Sequence, residues 1–303
     1  MSQPPAAPER EPGRRLFTAL VVILLLSVGL VGYIAWSGLN PFRSPPTEVA
    51  ELGQRVLVNY IGRFEDGRIF DTSLYSVAAD DARYPKSVGF ALRAESEYEP
   101  FNLTAGGTEA VPGFSQAVVG LEVGEEVTVS VPPELGYGYP SPEQIRTIPL
   151  REVLPLQYQT TIEAFLNRFG FYPQVGLVVR DNLRSWDLQV LALDEAMVTL
   201  LNKPVLGGTM TPYGNPAASP PRGWVATVES IDSSANNGTG EVVIRHLLDA
   251  ADSYQILATD ENGQERIVGV VDEAEGTFQF IAGDRKELQG RTLVFTITLV
   301  RVF

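Results

Sequence analysis

Groups able to form a covalent bond to substrate or to hold a transition metal are almost missing from this sequence of 303 residues. It has no cysteine and one histidine, His246. That excludes a thiolate nucleophile, a disulfide framework, a multi-histidine metal site and any Ser-His or Cys-His couple elsewhere in the chain. The acidic residues Asp80, Asp81, Glu95, Glu97 and Glu99 read as solvated loop charges rather than metal ligands, and His246 reads as structural. With 23 basic against 37 acidic residues the formal charge is -14, which repels phosphate backbones and anionic head groups, so no nucleic acid is expected as a partner. Whatever chemistry the chain performs must come from other groups.

Three separated blocks carry a pattern. The first is VLVNYIGRFEDGRIFDTS (56–73), where a Tyr precedes an Asp-Gly turn and then Phe-Asp-x-Ser. The second is EAVPGFSQAVVGLEVGEEVTVSVPPELGYG (109–138), with a Val-Pro-Gly-Phe helix start, a Gly-Leu-x-x-Gly-Glu turn and Pro-x-x-x-Tyr-Gly. The third is LQGRTLVFTITLVRV (288–302), a strand with Leu-Val-Phe. In this order the blocks resemble the FKBP family of peptidyl-prolyl cis-trans isomerases. The resemblance covers about 100 residues before Pro149 and the last fifteen or so, which implies that 150–285 interrupts the FKBP fold near its flap. The long archaeal and SlyD-like members carry such a domain, and QIRTIPLREV (144–153) and NKPVLGGT (202–209) resemble their sequences. The extended loop at 73–106 is also similar to that subgroup.

The implied reaction suits these residue types. Rotation about an X-Pro bond faces a barrier of ~18–20 kcal/mol because amide resonance is lost at the twisted state. Water favours the planar, more dipolar amide, so an apolar, aromatic-walled pocket removes that preference and needs no nucleophile, metal or cofactor. The resemblance implies that Tyr60, Phe70, Phe101, Val111, Phe114 and Phe295 line the pocket, with Phe114 where many relatives carry Trp as its floor. It implies that Asp71 and the Tyr137 hydroxyl are the polar groups, and that the Val111 backbone N–H holds a substrate carbonyl. Alone, alternating Phe, Val and Tyr would read as core, Asp71 as a turn acid and Tyr137-Gly138 as a turn. Unfolded or proline-containing polypeptides are the implied partners, and an FKBP-directed macrolide an implied ligand. The alternative is a catalytically silent FKBP-like chaperone or scaffold module of a membrane complex.

The elements that must position these residues follow from periodicity. QRVLVNYIGRF and EEVTVSVPP alternate as strands, and FSQAVVGL at 114–121 has the spacing of a short helix closed by Gly120. After Pro149, LREVLPLQYQTTIEAFLNRFGF, VGLVVRD, LQVLAL and AMVTLLN read as short strands separated by turns. The loops at 211–223 and 232–240 are internal breaks. A weak similarity links 197–209 with 277–293, open to reading as a duplicated β unit or as chance. The expected fold is α+β: an FKBP-like antiparallel β-sheet wrapped on a short helix, with a mostly β inserted domain. The FKBP part comprises 51–149 and the closing strand in 286–303, with 150–285 inserted.

Ahead of this domain, Leu16 to Trp36 is free of charge and as a helix would span about 31 Å, the thickness of a hydrocarbon core. It is expected to be one N-terminal transmembrane helix, with a cleaved signal peptide as the competing reading. Arg10, Arg14 and Arg15 precede it and only Arg43 follows closely. The positive-inside rule then makes 1–15 a cytoplasmic tail, 37–50 a linker and the globular part extracytoplasmic, on a single-pass protein of the cell membrane.

Overall fold

A computed structural model describes residues 12–36, 48–182, 184–214, 222–260 and 262–303. They belong to two units, Met1–Glu48 and Val49–Phe303. Most of the expected tail, most of the expected linker and the middle of the 211–223 loop lie outside the described residues. In the first unit, helix α1 runs Pro12–Trp36. Among the residues whose side chains are described, Leu20–Tyr33 in this unit, no helix is long and apolar enough to cross a membrane.

Alternation along β1 (Arg55–Phe64) buries Val56, Val58 and Phe64 on one face. β2 (Ile69–Thr72) and β3 (Phe101–Thr104) pair with opposite ends of the same edge of β1. The long loop between them contains α2 (Tyr75–Ala78). α3 (Pro112–Val118) starts two residues earlier than its apolar spacing predicts, because Pro112 takes a first-turn position that needs no N–H donor. Its exit is at Gly120, whose φ of +89° suits glycine. β4 (Glu126–Val131) follows.

The chain then leaves this sheet. β5 (Ile145–Pro149), β6 (Arg151–Pro155) and β7 (Gln157–Thr161) come in succession, and each becomes the edge of a different four-stranded sheet. After α4 (Ile162–Phe169), three antiparallel meanders return to them in reverse order. β8 (Val178–Asp181), β9 (Trp186–Leu193) and β10 (Met197–Lys203) build onto β7. β11 (Thr209–Met210), β12 (Ala226–Asp232) and β13 (Glu241–His246) build onto β6. β14 (Leu257–Thr259), β15 (Glu265–Asp272) and β16 (Thr277–Ala282) build onto β5. Because β16 ends beside β5, the excursion finishes next to where it began. Gly290 N–H donates to Gly138 O at 2.7 Å, and Gln144 Nε2 donates to Ala282 O at 3.2 Å. The chain re-enters the first sheet as β17 (Leu293–Val302), between β1 and β4, completing a five-stranded sheet. The two similar stretches begin with β10 and β16, which hold the same place in their sheets, each the last strand of its meander.

The structure corrects one expectation within this excursion: the segment after β7 is a helix, not a strand. The Thr161 hydroxyl accepts a hydrogen bond from Ala164 N–H at 3.0 Å, and Gly170 ends α4 with φ +79°. Phe165 and Phe169, four apart, stack at 4.6 Å on its inner side.

Three cores result. The first lies between α3 and the five-stranded sheet, around Val58, Leu103, Phe114, Val118 and Ile297. The second, around Phe165, Trp186, Leu188, Leu200 and Ile244, joins the sheets on β7 and β6. The third packs Ile148, Tyr213, Trp224, Phe278 and Phe280. His246 lies at its margin. The Trp224 indole N–H donates to His246 Nδ1 at 2.9 Å, and His246 Nε2 is 3.3 Å from Glu152 Oε2. Burial pushes the Glu152 carboxyl up, but the hydrogen bond from His246, with the Arg184 and Arg146 guanidiniums, outweighs it and holds the carboxyl below the usual range.

Asn202 ties the second core together. Its Oδ1 accepts from the Trp186 indole at 2.9 Å while its Nδ2 donates to Pro155 O at 2.8 Å. Asn202→Ala leaves a buried donor and a buried acceptor unpaired, at about 1–3 kcal/mol each. Denaturant unfolding followed by tryptophan fluorescence should show a loss of about 2–4 kcal/mol; a loss below about 0.5 kcal/mol would contradict this role.

Candidate active site

The aromatic residues read from the three blocks converge. The register of β1 sets Gly62 opposite both Phe295 of β17 and Asp71 of β2. With no side chain on Gly62, the rings of Phe70 and Phe295 close over the strand: a Cβ there would lie 2.7 Å from Phe70 Cζ and 3.1 Å from Phe295 Cε1. Phe295 stands edge-on to Phe114 at 5.0 Å and 87°, and to Phe70 at 5.6 Å and 89°. Tyr60 meets Phe114 at 5.6 Å and 89°, and Phe101 at 6.1 Å. Such edge-to-face pairs add about 0.5–1.5 kcal/mol beyond burial and fix the ring planes. Phe114 and Phe295 are buried in the first core, and Tyr60, Phe70, Phe101, Val111 and Tyr137 pack half-buried against it. A wall of aromatic residues is thus partly open to solvent.

Polar groups border this wall. The Tyr60 hydroxyl donates to Asp71 Oδ2 at 2.6 Å, and Thr72 N–H donates to Asp71 Oδ1 at 2.9 Å. Burial, followed by the charge and acceptor of Asp71, raises the Tyr60 pKa far above that of a free phenol. The bond therefore stays in its neutral-donor form through the whole physiological range. Burial also raises the Tyr137 phenol, aided by Asp71 and opposed by the Arg285 guanidinium, which lies 5.0 Å from the Tyr137 ring centroid. Val111 caps α3 with its carbonyl accepting from Phe114 and Ser115 N–H, while its own N–H meets no backbone acceptor among the described residues. The arrangement offers an apolar floor, one N–H without a backbone acceptor among the described residues and two phenols, which can bind and desolvate a ligand but not attack it.

All of Tyr60, Phe70, Asp71, Phe101, Val111, Phe114, Tyr137 and Phe295 thus belong to the five-stranded sheet, its helix or the segment leaving it. One residue escaped the sequence reading. Arg93, in the long loop after β2, donates through Nη2 to Asp71 Oδ1 at 3.2 Å and to Thr72 O at 2.8 Å, and lies over the Tyr98 ring at 4.7 Å. No periodicity marks a loop arginine, and its role depends on a fold-back of the chain. Asp81 pairs with Lys86 at 3.1 Å in the same loop, and among the described residues no group of acidic, His or Cys side chains could hold a metal.

Comparison with known proteins agrees with this geometry. Residues 47–154 match the family described as FKBP-type peptidyl-prolyl cis-trans isomerase. The chain is 42% identical over 97 residues to the short-type peptidyl-prolyl cis-trans isomerase of Methanocaldococcus jannaschii, covering 32% of this chain and 56% of that protein. It is 29% identical over 92 residues to FK506-binding protein 2 of Yarrowia lipolytica, 30% of this chain and 49% of that one. A probable FKBP-type 16 kDa peptidyl-prolyl cis-trans isomerase of Pseudomonas fluorescens is 26% identical over 131 residues, 40% of this chain and 79% of that protein. The chain spans about half the length of the first two of these relatives. The chain carries an FKBP-type domain.

The Tyr60–Asp71 bond gives a pH test whose sign follows from the raised phenol. A phenol harder to ionise in the folded state contributes stability that is complete below about pH 10, its unfolded value, and is lost as pH rises from there towards the folded value. Ultraviolet titration should show at least one tyrosine that does not ionise before alkaline unfolding, absent from the titration of Tyr60→Phe. In Asp71→Asn the same phenol should titrate earlier; an unchanged titration would contradict the coupling.

Proposed function

We propose that this chain is a peptidyl-prolyl cis-trans isomerase acting on X-Pro bonds of polypeptides. The observation that carries the reading is the convergence of Tyr60, Phe70, Phe114 and Phe295 beside the Tyr60–Asp71 hydrogen bond. A proline ring fits an apolar wall, and the Val111 N–H would hold a substrate carbonyl while the amide loses its planarity out of water. Unassisted exchange takes tens of seconds, and each tenfold acceleration requires about 1.4 kcal/mol, so a thousandfold effect needs only about 4 kcal/mol. Desolvation of one amide and a few oriented contacts are of that size.

The three sheets between β4 and β17 support assignment to the long forms with a domain inserted near the flap. In that domain Phe171, Tyr172, Val175 and Val178 lie together in sequence after α4 and are 46%, 61%, 64% and 48% exposed. An apolar surface of this kind is suited to hold unfolded chains near the pocket and raise their local concentration. The aromatic wall would also be the place for an FKBP-directed macrolide. The apolar run Leu16–Trp36, carried on α1, supports a single membrane anchor, with the arginines before it favouring an extracytoplasmic globular part.

In a protease-coupled assay on an Ala-Leu-Pro-Phe peptide, the protein at micromolar concentration should exceed the buffer rate by at least tenfold. Phe114→Ala and Asp71→Asn should each lose most of that excess. Rates equal to buffer would reject the catalytic reading and leave a silent binding module. For the anchor, alkaline carbonate washing of cell membranes should leave the protein in the pellet, and protease added to spheroplasts should digest 48–303. Release by carbonate, or protection of the globular part, would contradict the anchor or its orientation respectively.

A further inference from the structure

Beside the aromatic wall lies a cavity of about 240 Å³, walled by Phe70 from the first sheet, Gly89 from the long loop, Leu257 from β14, Glu265 from β15 and the returning segment 284–288. It borders the candidate active site at two points. Phe70 packs against Phe295 on its other side, and Arg285 of the returning segment stacks on Tyr137. The cavity exists because the inserted domain sends its last segment back past the pocket.

The telling residue is Glu287. It is 9% exposed, and among the described residues its Oε1 has no hydrogen-bond partner. Its Oε2 lies against Gly89, where any Cβ would collide with it. The nearby cations are engaged elsewhere. Lys286 Nζ pairs with Glu265 at 2.9 Å, and Arg291 pairs with Asp66 at 3.5 Å while lying 3.4 Å from the Phe64 ring centroid. Burial raises the Glu287 pKa, although Ser87, Arg291, the Gly89 backbone and Lys286 pull the other way. A buried carboxyl oxygen left without a donor is unfavourable unless a ligand supplies one. Asp284 and Glu265, also on the cavity lining, add negative charge, while the lining cations Arg285 and Lys286 are drawn to the Tyr137 ring and to Glu265.

We propose that this cavity is a side-chain subsite that accepts a lysine or arginine of the polypeptide substrate, close in sequence to the isomerised proline, with Glu287 as its charged partner. The long apolar stem of such a residue suits the Phe70 and Leu257 walls, and its terminal N–H groups supply the donors that Glu287 Oε1 lacks. The proposal rests on the isomerase reading and adds a sequence preference to it. Arg285 is drawn onto the Tyr137 ring, and among the described residues no lysine or arginine makes an ion pair with the Glu287 carboxyl, although Arg291 and Lys286 act on it from a distance.

The test measures kcat/KM of the full chain in detergent micelles on proline peptides carrying Lys, Met or Glu at each position from three before to two after the proline. At one position Lys should exceed Met by about tenfold and Glu should fall below Met, chiefly through KM. Glu287→Gln should bring the Lys-to-Met ratio close to one. Leu257→Trp, which fills the cavity without touching the carboxyl, should do the same, so the outcome does not depend on one variant folding. A wild-type protein that isomerises all the peptides without a Lys preference overturns the subsite. So does a preference that survives in either folded variant. Absence of isomerisation on every peptide would instead reject the isomerase reading and the subsite with it.

Discussion

The pairing of β17 between β1 and β4 is the constraint on which the rest depends. Phe295 reaches Phe114 and Phe70 only because this strand closes the sheet, and Thr128 and Thr296, 168 positions apart, meet at 3.0 Å across the same pairing. Holding chain segments so far apart in sequence against each other carries a loop-closure entropy, but that cost grows only logarithmically, by about 0.6 kcal/mol for each doubling of length. The inserted domain makes it smaller still. Its nested meanders end beside their starting point, and the Gly290–Gly138 hydrogen bond fastens the two ends together.

From that closure the electrostatics of the site follow. β2 and the long loop pack on the remaining edge of β1, bringing Asp71 under the Tyr60 hydroxyl and Arg93 onto Asp71. The carboxylate is about 44% exposed and the arginine 40%, so their ion pair is screened and worth well under 1 kcal/mol, whereas the Tyr60 bond is short and partly buried. The bond, rather than the ion pair, orients Asp71 beside the aromatic wall. The site therefore needs no titrating catalyst, which agrees with a chain that has no cysteine and whose one histidine is buried against Trp224 and Glu152.

Much of the site was legible because its residues come in short ordered blocks with strong local signatures: Tyr60 ahead of an Asp-Gly turn, Phe70-Asp71, Val111-Pro-Gly-Phe114, Tyr137-Gly138 and Phe295. What escaped was set by tertiary contact. Arg93 is one charged residue in a loop, and nothing local distinguishes it from Arg83. Glu287 carries no local signature, and it is the return of the chain that buries it against Gly89. The strand Gln157–Thr161 runs straight into α4, so the helix does not stand out from the strands around it; only the Thr161 cap, Gly170 and the helical Phe165–Phe169 spacing mark it. The pairing of β5 with β16 and of β6 with β13 was not legible at all, since strands with similar alternation carry no label for distant partners.

The central claim is that an X-Pro amide rotates while held on the Phe114–Phe295 wall. Two-dimensional exchange NMR on a proline peptide, with the protein at one-hundredth of its concentration, measures that rotation directly, without a coupling protease. The account predicts cis-trans exchange cross-peaks building within a second, and contacts between the proline ring protons and the Phe114 and Phe295 rings. Exchange as slow as in buffer, or acceleration with the proline contacting neither ring, would contradict it.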